Sequence, residues 1–131
     1  MKYLLLIFAL TFSFIGNVSA GEVETNILRL RSLNACEKCN LTGANLIEAN
    51  LKGANLKGAD LYRAKLSGAN LEGADLYGAD LGFANLSYAN LTEANLSGAN
   101  LKGADLRDAN IDGAIFCKTK TPWGLDNSGC D

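Results

Sequence analysis

Residues 44–68 read ANLIE ANLKG ANLKG ADLYR AKLSG, five blocks of five residues with leucine third in each block. The same spacing continues in both directions, so that every fifth residue from Leu41 to Leu106 is leucine. Ile111 and Phe116 then occupy the next two positions of the series. An internal repeat of fixed period is the sequence signature of a solenoid, and this one fills most of the chain.

Each leucine follows a small residue two positions earlier, which is Cys39 in the first block and alanine from Ala44 to Ala114 in the others. Asn or Asp usually stands between the two, and glycine is common two positions after the leucine, as at Gly53. In an extended segment, residues two apart point to the same side, so each block offers one small and one large apolar side chain to a core. Turns prefer Asn, Asp and Gly, so the remaining positions predict a corner.

A period of five residues is incompatible with a regular helix and with a flat strand. Five residues advance an α-helix by about 500°, which would scatter the leucines around its axis. Five is also odd, so leucines on a flat strand would alternate between its two faces. The chain must therefore turn once in every block and coil around a packed axis, with backbone hydrogen bonds between coils about 4.8 Å apart.

The run of Ala, Asn or Asp, Leu and two variable residues resembles the pentapeptide-repeat proteins over residues 39–116, which hold sixteen repeats. The resemblance implies an all-β fold, a right-handed quadrilateral β-helix with four repeats in each coil and about four coils. The two segments that flank the repeat, residues 36–41 and 116–130, also resemble exported members from cyanobacteria and other bacteria.

The first twenty residues have the pattern of a secretory signal peptide. Lys2 supplies a positive charge, residues 3–16 are apolar and uncharged, and the Val-Ser-Ala segment at 18–20 precedes a cleavage point before Gly21. The alternative is an uncleaved anchor helix, but a membrane span needs about 20 apolar residues, and this run is shorter. We therefore expect residues 1–20 to be removed and no stable membrane anchor to remain.

The two ends of the stack need covers, because a solenoid exposes strand edges and core side chains at its terminal coils. Residues 21–38 carry apolar residues among charges and predict an N-terminal cap, either a short helix or an irregular segment, with a flexible tail as the alternative. Residues 117–131 contain Pro122 and two glycines and predict a C-terminal cap loop, in which Trp123 and Leu125 cover the last coil.

Four cysteines, Cys36, Cys39, Cys117 and Cys130, lie at these two ends. An even number of cysteines in a small exported protein favours disulfides. In the stack that the family resemblance implies, the two pairs lie at opposite ends, which favours bridges 36–39 and 117–130 over a four-cysteine metal site. A redox role for the C-x-x-C segment and a buried free thiol at Cys39 are the alternatives.

The sequence offers no chemistry that predicts an enzyme. It contains no histidine, no recognisable nucleophile motif and no phosphate-binding loop, so we expect no catalytic site and no cofactor. Asp60 and Asp80 would lie one coil apart on one face, but turn chemistry accounts for aspartate at that position, and we predict no metal site. The net charge of −2 is too small to imply a nucleic-acid partner.

The corner positions carry the side chains that differ between repeats. With twenty residues in a coil, as the family resemblance implies, Arg63 stacks on Phe83, and Tyr62, Tyr77 and Tyr88 lie nearby. These five residues predict a contact patch for a protein partner, and Arg63 with Phe83 predicts a cation–π pair. The alternative is that the rings are separate surface residues that cover corner backbone.

These features predict a non-enzymatic structural or protein-interaction solenoid in an extracytoplasmic compartment. That compartment is the periplasm, the extracellular space or, in a cyanobacterium, the thylakoid lumen. The expected partner is another protein, and the oligomeric state stays open. Some pentapeptide-repeat proteins mimic DNA and protect gyrase from quinolones, which makes gyrase binding one alternative. That role needs a long, strongly acidic cytoplasmic rod, whereas these repeats hold nine acidic and six basic residues. A cysteine-based metal or redox protein is the other alternative.

Overall fold

The computed structural model describes residues 18–131, so most of the predicted signal peptide, residues 1–20, lies outside the described residues. Within these residues, helix α1 spans Val18–Leu33. Two short strands near the C-terminus, β1 at Thr119–Thr121 and β2 at Gly124–Asp126, form an antiparallel hairpin. Between the helix and the hairpin, the chain forms a solenoid whose successive coils are joined by parallel β-bridges.

Each pentapeptide consists of one bridging residue and one tight turn, as the block at Leu41 illustrates. The amide of Ala44 donates to the carbonyl of Leu41 at 3.0 Å, and Gly43 between them has a φ of +65°. A positive φ at the third residue is typical of a type II turn and explains the frequent glycine there. The Asn40 carboxamide oxygen accepts the amide of Thr42 at 3.1 Å, which explains why Asn or Asp precedes leucine.

Parallel bridges join each residue at the Asn/Asp position to the residue twenty positions later. The first joins Ala35 to Asn55, and the last joins Asn100 to Lys120. Twenty residues are four pentapeptides, so each coil has four corners, and residues twenty apart stack along each corner. Corner 1 holds residues 42–43, 62–63, 82–83 and 102–103; corner 2 holds 47–48, 67–68, 87–88 and 107–108; corner 3 holds 52–53, 72–73, 92–93 and 112–113; and corner 4 holds 37–38, 57–58, 77–78, 97–98 and 117–118.

The core of the solenoid consists of the leucine and alanine positions. Every leucine of the series from Leu41 to Leu101 is at most 1% exposed, and most alanines of the small positions are equally buried. Full burial of one leucine contributes about 1.5–3 kcal/mol to folding. The stacked leucines therefore hold the coils together along the axis, and the side chains that can meet a partner are confined to the outer surface.

Helix α1 closes the N-terminal end of the solenoid. Ile27 and Leu30 are buried against the first coil, and the Asn26 carboxamide donates to the Asn40 carbonyl at 2.9 Å. The helix stops where Asn34 adopts a positive φ and its amide donates to the Leu30 carbonyl. The predicted cleavage point lies in the first turn of α1. Within residues 18–131, no helix combines the length and the apolar character needed to cross a bilayer.

The repeat register continues into β1 at the C-terminal end. Thr119 and Thr121 occupy the next alanine and leucine positions and are buried, and the chain then turns back into β2. The expectation that Trp123 and Leu125 cover the last coil is wrong, because their side chains are 60% and 66% exposed. Trp123 lies at the hairpin turn, and Leu125 pairs with Lys120. Directly paired residues share one face of a sheet, so Leu125 points outward together with that exposed lysine.

Candidate interaction surface

The predicted contact patch consists of Tyr62, Arg63, Tyr77, Phe83 and Tyr88, which we call the aromatic patch. Tyr62, Arg63 and Phe83 lie together at corner 1, whereas Tyr88 lies at corner 2 and Tyr77 at corner 4. Corner 1 stands between the other two corners along the chain. The patch therefore extends around three consecutive corners, with one cluster at its centre and one tyrosine on either side.

The central cluster at corner 1 is held by ring contacts. The rings of Tyr62 and Phe83 meet edge to face, with centroids 5.8 Å apart and planes at 77°. The guanidinium carbon of Arg63 lies 5.3 Å from the centroid of the Tyr62 ring. The predicted cation–π pair of Arg63 with Phe83 is therefore wrong. The cation lies over its chain neighbour Tyr62, and the Phe83 ring lies against Gly103 of the following coil.

Both rings of the cluster lie over a glycine of the following coil. A β-carbon at Gly82 would come within 3.1 Å of the Tyr62 ring, and one at Gly103 would come within 2.6 Å of the Phe83 ring. The rings therefore shield corner backbone, as the alternative interpretation of the patch expects. Phe83 nevertheless keeps 56% of its surface exposed, so the cluster also presents an apolar surface to solvent.

Tyr77, at corner 4, borders a shallow groove of about 550 Å³. Lys57 and Asp75 line this groove and form an ion pair, with Nζ 3.2 Å from Oδ2. Gly58 and Gly78 occupy the corner there; the Lys38 side chain lies over Gly58, whereas a β-carbon at Gly78 would meet no atom within 4 Å. A groove with one exposed ring and a solvated ion pair has the mixed character of a non-obligate protein interface.

A bidentate charge pair lies at corner 2 of the last coil, outside the aromatic patch. Arg107 donates to both carboxylate oxygens of Asp105, at 2.9 and 2.6 Å. These side-chain hydrogen bonds, together with one from the Arg107 amide, lower the pKa of Asp105 from 3.8 to about 2. The pair therefore keeps the Asp105 carboxylate ionised. Because the Arg107 side chain is exposed to solvent, the pair adds little to stability.

The structure pairs Cys36 with Cys39, the N-terminal disulfide, and Cys117 with Cys130, the C-terminal disulfide. The N-terminal disulfide belongs to the core: Cys36 occupies a leucine position, Cys39 an alanine position, and both are at most 6% exposed. In the C-terminal disulfide, Cys130 is exposed. The two bridges therefore differ strongly in their access to solvent and to thiol reagents.

Asp60 and Asp80 are engaged in turn contacts. Asp60 accepts the amide of Tyr62 at 3.0 Å, and Asp80 accepts the amide of Gly82 at 2.9 Å and the Asn100 carboxamide at 2.9 Å. These are the contacts that Asn and Asp make throughout the repeat. In the part of the chain that the structure describes, no three Cys, Asp or Glu side chains are grouped as metal ligands would be.

One apolar surface was missed by the sequence-based prediction. Ile111 belongs to the leucine series but is 37% exposed, and Trp123 and Leu125 are exposed at the same end of the solenoid. The change from leucine to Ile111 and Phe116 was the available signal, because it marks where the uniform stack ends.

The repeat matches the family model for pentapeptide repeats in eight copies, over residues 39–78 and 84–120. The chain belongs to the pentapeptide-repeat family. No curated protein sequence matches it.

Solved structures match the chain as well, and the first two named here are of pentapeptide-repeat proteins. One from Nostoc PCC 7120 is 43% identical, with a TM-score of 0.60, over 69% of this chain and 72% of its own. One from the thylakoid lumen of Arabidopsis thaliana is 35% identical, with a TM-score of 0.42, over 66% and 69%. QnrB1, a plasmid-mediated fluoroquinolone resistance protein, is 22% identical, with a TM-score of 0.35, over 62% and 50%. The likeness to the Nostoc protein supports an all-β repeat solenoid.

Proposed function

We propose that this pentapeptide-repeat protein is a non-enzymatic solenoid that binds a protein partner through its corners in an extracytoplasmic compartment. The observation that carries the proposal is the exposure of three aromatic side chains, Tyr77, Phe83 and Tyr88, at 57%, 56% and 68%. The core requires only leucine and alanine, so the fold does not need aromatic residues at these positions. Aromatic side chains are the ones that protein interfaces concentrate at their centres.

The solenoid serves in this proposal as a rigid rod, a right-handed quadrilateral β-helix of about four coils. Its non-enzymatic character is supported by the composition of the repeat. Inward positions are filled by leucine and alanine, and the Asn/Asp position is occupied by turn hydrogen bonds, as at Asp80. The variable corners present aromatic rings and solvated charges, which suit recognition of a surface.

Export is supported by the signal-peptide pattern of residues 1–20 and by the two disulfides, since disulfides persist in oxidising compartments. The periplasm, the extracellular space and the thylakoid lumen all meet this condition. The test is the intact mass of protein from its native host, with and without reductant and thiol alkylation. We expect a chain that begins at Gly21 and takes up label only after reduction. A chain that begins at Met1 with four labelled thiols would overturn the export proposal.

The aromatic patch is tested by the double substitution Phe83→Ser with Tyr88→Ser. We expect an unchanged far-UV circular dichroism spectrum and loss of the cross-linked partner band in the native host. The matched control is Ile47→Ser, which removes an equally exposed apolar side chain at corner 2 of the first coil. If the partner band survives the double substitution, or disappears equally in the control, the patch is not the contact surface.

The alternatives receive less support. The repeats hold nine acidic and six basic residues, too even a balance for a DNA mimic, and the likeness to QnrB1 shows the fold alone. Protection of gyrase from a quinolone in a supercoiling assay would favour that alternative. A redox role for the N-terminal disulfide is opposed by its burial, which keeps Cys36 from an attacking thiolate.

A further inference from the structure

One pentapeptide breaks the sequence rule of the repeat. Every fifth residue from Asn40 to Asn110 stands at the Asn/Asp position, and fourteen of these fifteen residues are Asn or Asp. The exception is Lys65, in the block AKLSG at 64–68. Where a residue departs from a local rule and the fold gains nothing from it, the departure indicates a functional position.

The exception removes a hydrogen bond that the other turns of the series make. At all fourteen Asn and Asp positions, a side-chain oxygen accepts the amide two residues later, at 2.9–3.4 Å. Lysine offers donors only, and among residues 18–131 the amide of Ser67 meets no acceptor. The backbone is otherwise regular, because the Lys65 amide donates to the Ala44 carbonyl at 2.9 Å.

The fold does not use the charge of Lys65. Its side chain is exposed, and among residues 18–131 no carboxylate forms an ion pair with it. Lys57, by contrast, is paired with Asp75 at 3.2 Å. The turn after Lys65 therefore lacks its side-chain hydrogen bond, and what the chain has in its place is an exposed, unpaired cation.

Lys65 lies on the flat side of the solenoid between corner 1 and corner 2. It forms a parallel bridge with Asn85 of the following coil. Phe83 stands two residues before Asn85 at corner 1, and Tyr88 stands three residues after it at corner 2. The one lysine at the Asn/Asp positions of the coils thus lies between the two exposed rings that the proposed contact surface contains.

Two further cations accompany Lys65. Arg63 and Lys102 lie two coils apart at corner 1, both are exposed, and within residues 18–131 neither is ion-paired. We call Arg63, Lys65 and Lys102 the basic strip. The acidic residue of the adjoining Asn/Asp column, Asp105, is already held by Arg107. Corner 3, on the opposite side of the coil, holds one basic and three acidic residues, so charge is segregated across the solenoid.

We propose that the basic strip binds an acidic segment of the protein partner, with a carboxylate of that segment placed on Lys65 between Phe83 and Tyr88. This inference rests on the proposed function and adds the chemistry of the partner. Asp and Glu side chains complement the strip in charge, and the flanking rings supply the apolar contact area that interfaces concentrate. Because the whole chain carries a net charge of −2, the strip also determines from which side an acidic partner approaches.

Three substitutions at residue 65 separate the charge from the turn. Lys65→Asn restores the missing acceptor, so we expect it to raise the urea midpoint by about 0.5 M while it weakens binding. Lys65→Met removes the charge without supplying an acceptor, so binding should weaken and the midpoint should stay within about 0.2 M. Lys65→Arg should retain binding. A Lys65→Asn variant that is no more stable than the unsubstituted protein would contradict the inference that the lysine is held at the expense of the turn.

The binding probe is a short peptide of alternating glutamate and tyrosine, added to ¹⁵N-labelled protein with both disulfides intact. We expect the backbone amides of Lys65, Phe83 and Tyr88 to shift with a dissociation constant of about 1 mM. The same peptide with glutamine in place of glutamate should bind at least about tenfold more weakly, and Lys65→Met should weaken the glutamate peptide at least about fivefold. Inorganic phosphate at the same concentration should shift these amides less.

The matched control for the loss of one charge is Lys52→Met. Lys52 lies at corner 3, where it is paired with Glu72 at 2.9 Å, and its removal should leave peptide binding unchanged. The proposal is refuted if the glutamine peptide binds as well as the glutamate peptide, if phosphate shifts the amides equally, or if Lys65→Met and Lys52→Met have the same effect.

Cross-linking in the native host distinguishes this proposal from the proposed function. Loss of the partner band in Lys65→Met, with retention in Lys52→Met, supports an acidic partner. If the band is lost in Phe83→Ser with Tyr88→Ser but kept in Lys65→Met, the corners bind the partner and the inference about its acidity is wrong. If the band survives all of these substitutions, the proposed contact surface itself is wrong.

Discussion

The cost of removing one leucine side chain is predicted to depend on its place in the stack. Leu76 lies in the middle, with no exposed surface and with the leucine positions of residues 56 and 96 directly above and below it. Leu76→Ala removes a fully buried side chain and leaves a cavity that both neighbouring coils enclose, so we expect it to cost about 3–5 kcal/mol. Leu106→Ala is the matched change in the last coil, where the leucine is partly exposed and the space left behind opens to water. There we expect about 1–2 kcal/mol.

The assay is urea unfolding with both disulfides intact. Far-UV circular dichroism follows the whole solenoid, and Trp123 fluorescence follows its C-terminal end. With an m-value of about 1–3 kcal/mol/M, Leu76→Ala should lower the midpoint by at least about 1 M. Equal costs for the two substitutions, or a cost below about 1.5 kcal/mol for Leu76→Ala, would refute the inference that the central coils form one continuously packed core.

Three further predictions concern the surface. Gly103→Ala should destabilise the protein more than Gly73→Ala, because both glycines have a positive φ but only a β-carbon at residue 103 would press against the Phe83 ring. When Phe83→Ala is added to each variant, the urea unfolding midpoints of the two glycine variants should become equal. In an NMR titration, the Asp105 carboxyl should titrate near pH 2, and Arg107→Gln should return the pKa of Asp105 toward 3.8. Because the pKa of Asp105 is lowered in the folded state, the stabilisation by this pair is complete above pH 3.8 and is lost as the pH falls toward 2. A mild dithiol should reduce the C-terminal disulfide before the N-terminal one, as read by mass after alkylation, and the reverse order would contradict the burial of the N-terminal bridge.

The caps show where prediction from sequence stops. The apolar residues of 21–38 indicated a cover without deciding between a helix and an irregular segment, and the structure resolves this as helix α1 with Ile27 and Leu30 buried. At the other end, Trp123 and Leu125 were expected to cover the last coil. Both are exposed instead: Trp123 lies in the hairpin turn, and the pairing of β1 with β2 places Leu125 on the outer face beside Lys120.

The residues of the aromatic patch were predicted, but the contacts among their side chains were not. The identity and corner positions of its residues follow from the repeat, but the partner of Arg63 does not. The Phe83 ring lies over Gly103, where it leaves no room for a β-carbon, and Arg63 lies over Tyr62. A ring's orientation depends on the residue twenty positions away, which a pattern within one pentapeptide does not contain.

The sequence by itself determined the repeating unit: a five-residue period, a turn in every block, and leucine and alanine inside. These features are local, because an apolar pair two residues apart and an Asn or Asp beside a glycine act within one block. Only the tertiary structure decided which blocks stack, which corners are neighbours and which apolar residues remain uncovered at the end. Those properties depend on hydrogen bonds between residues twenty apart. Within residues 18–131, the amides of Leu106 and Ile111 find no such partner in a following coil.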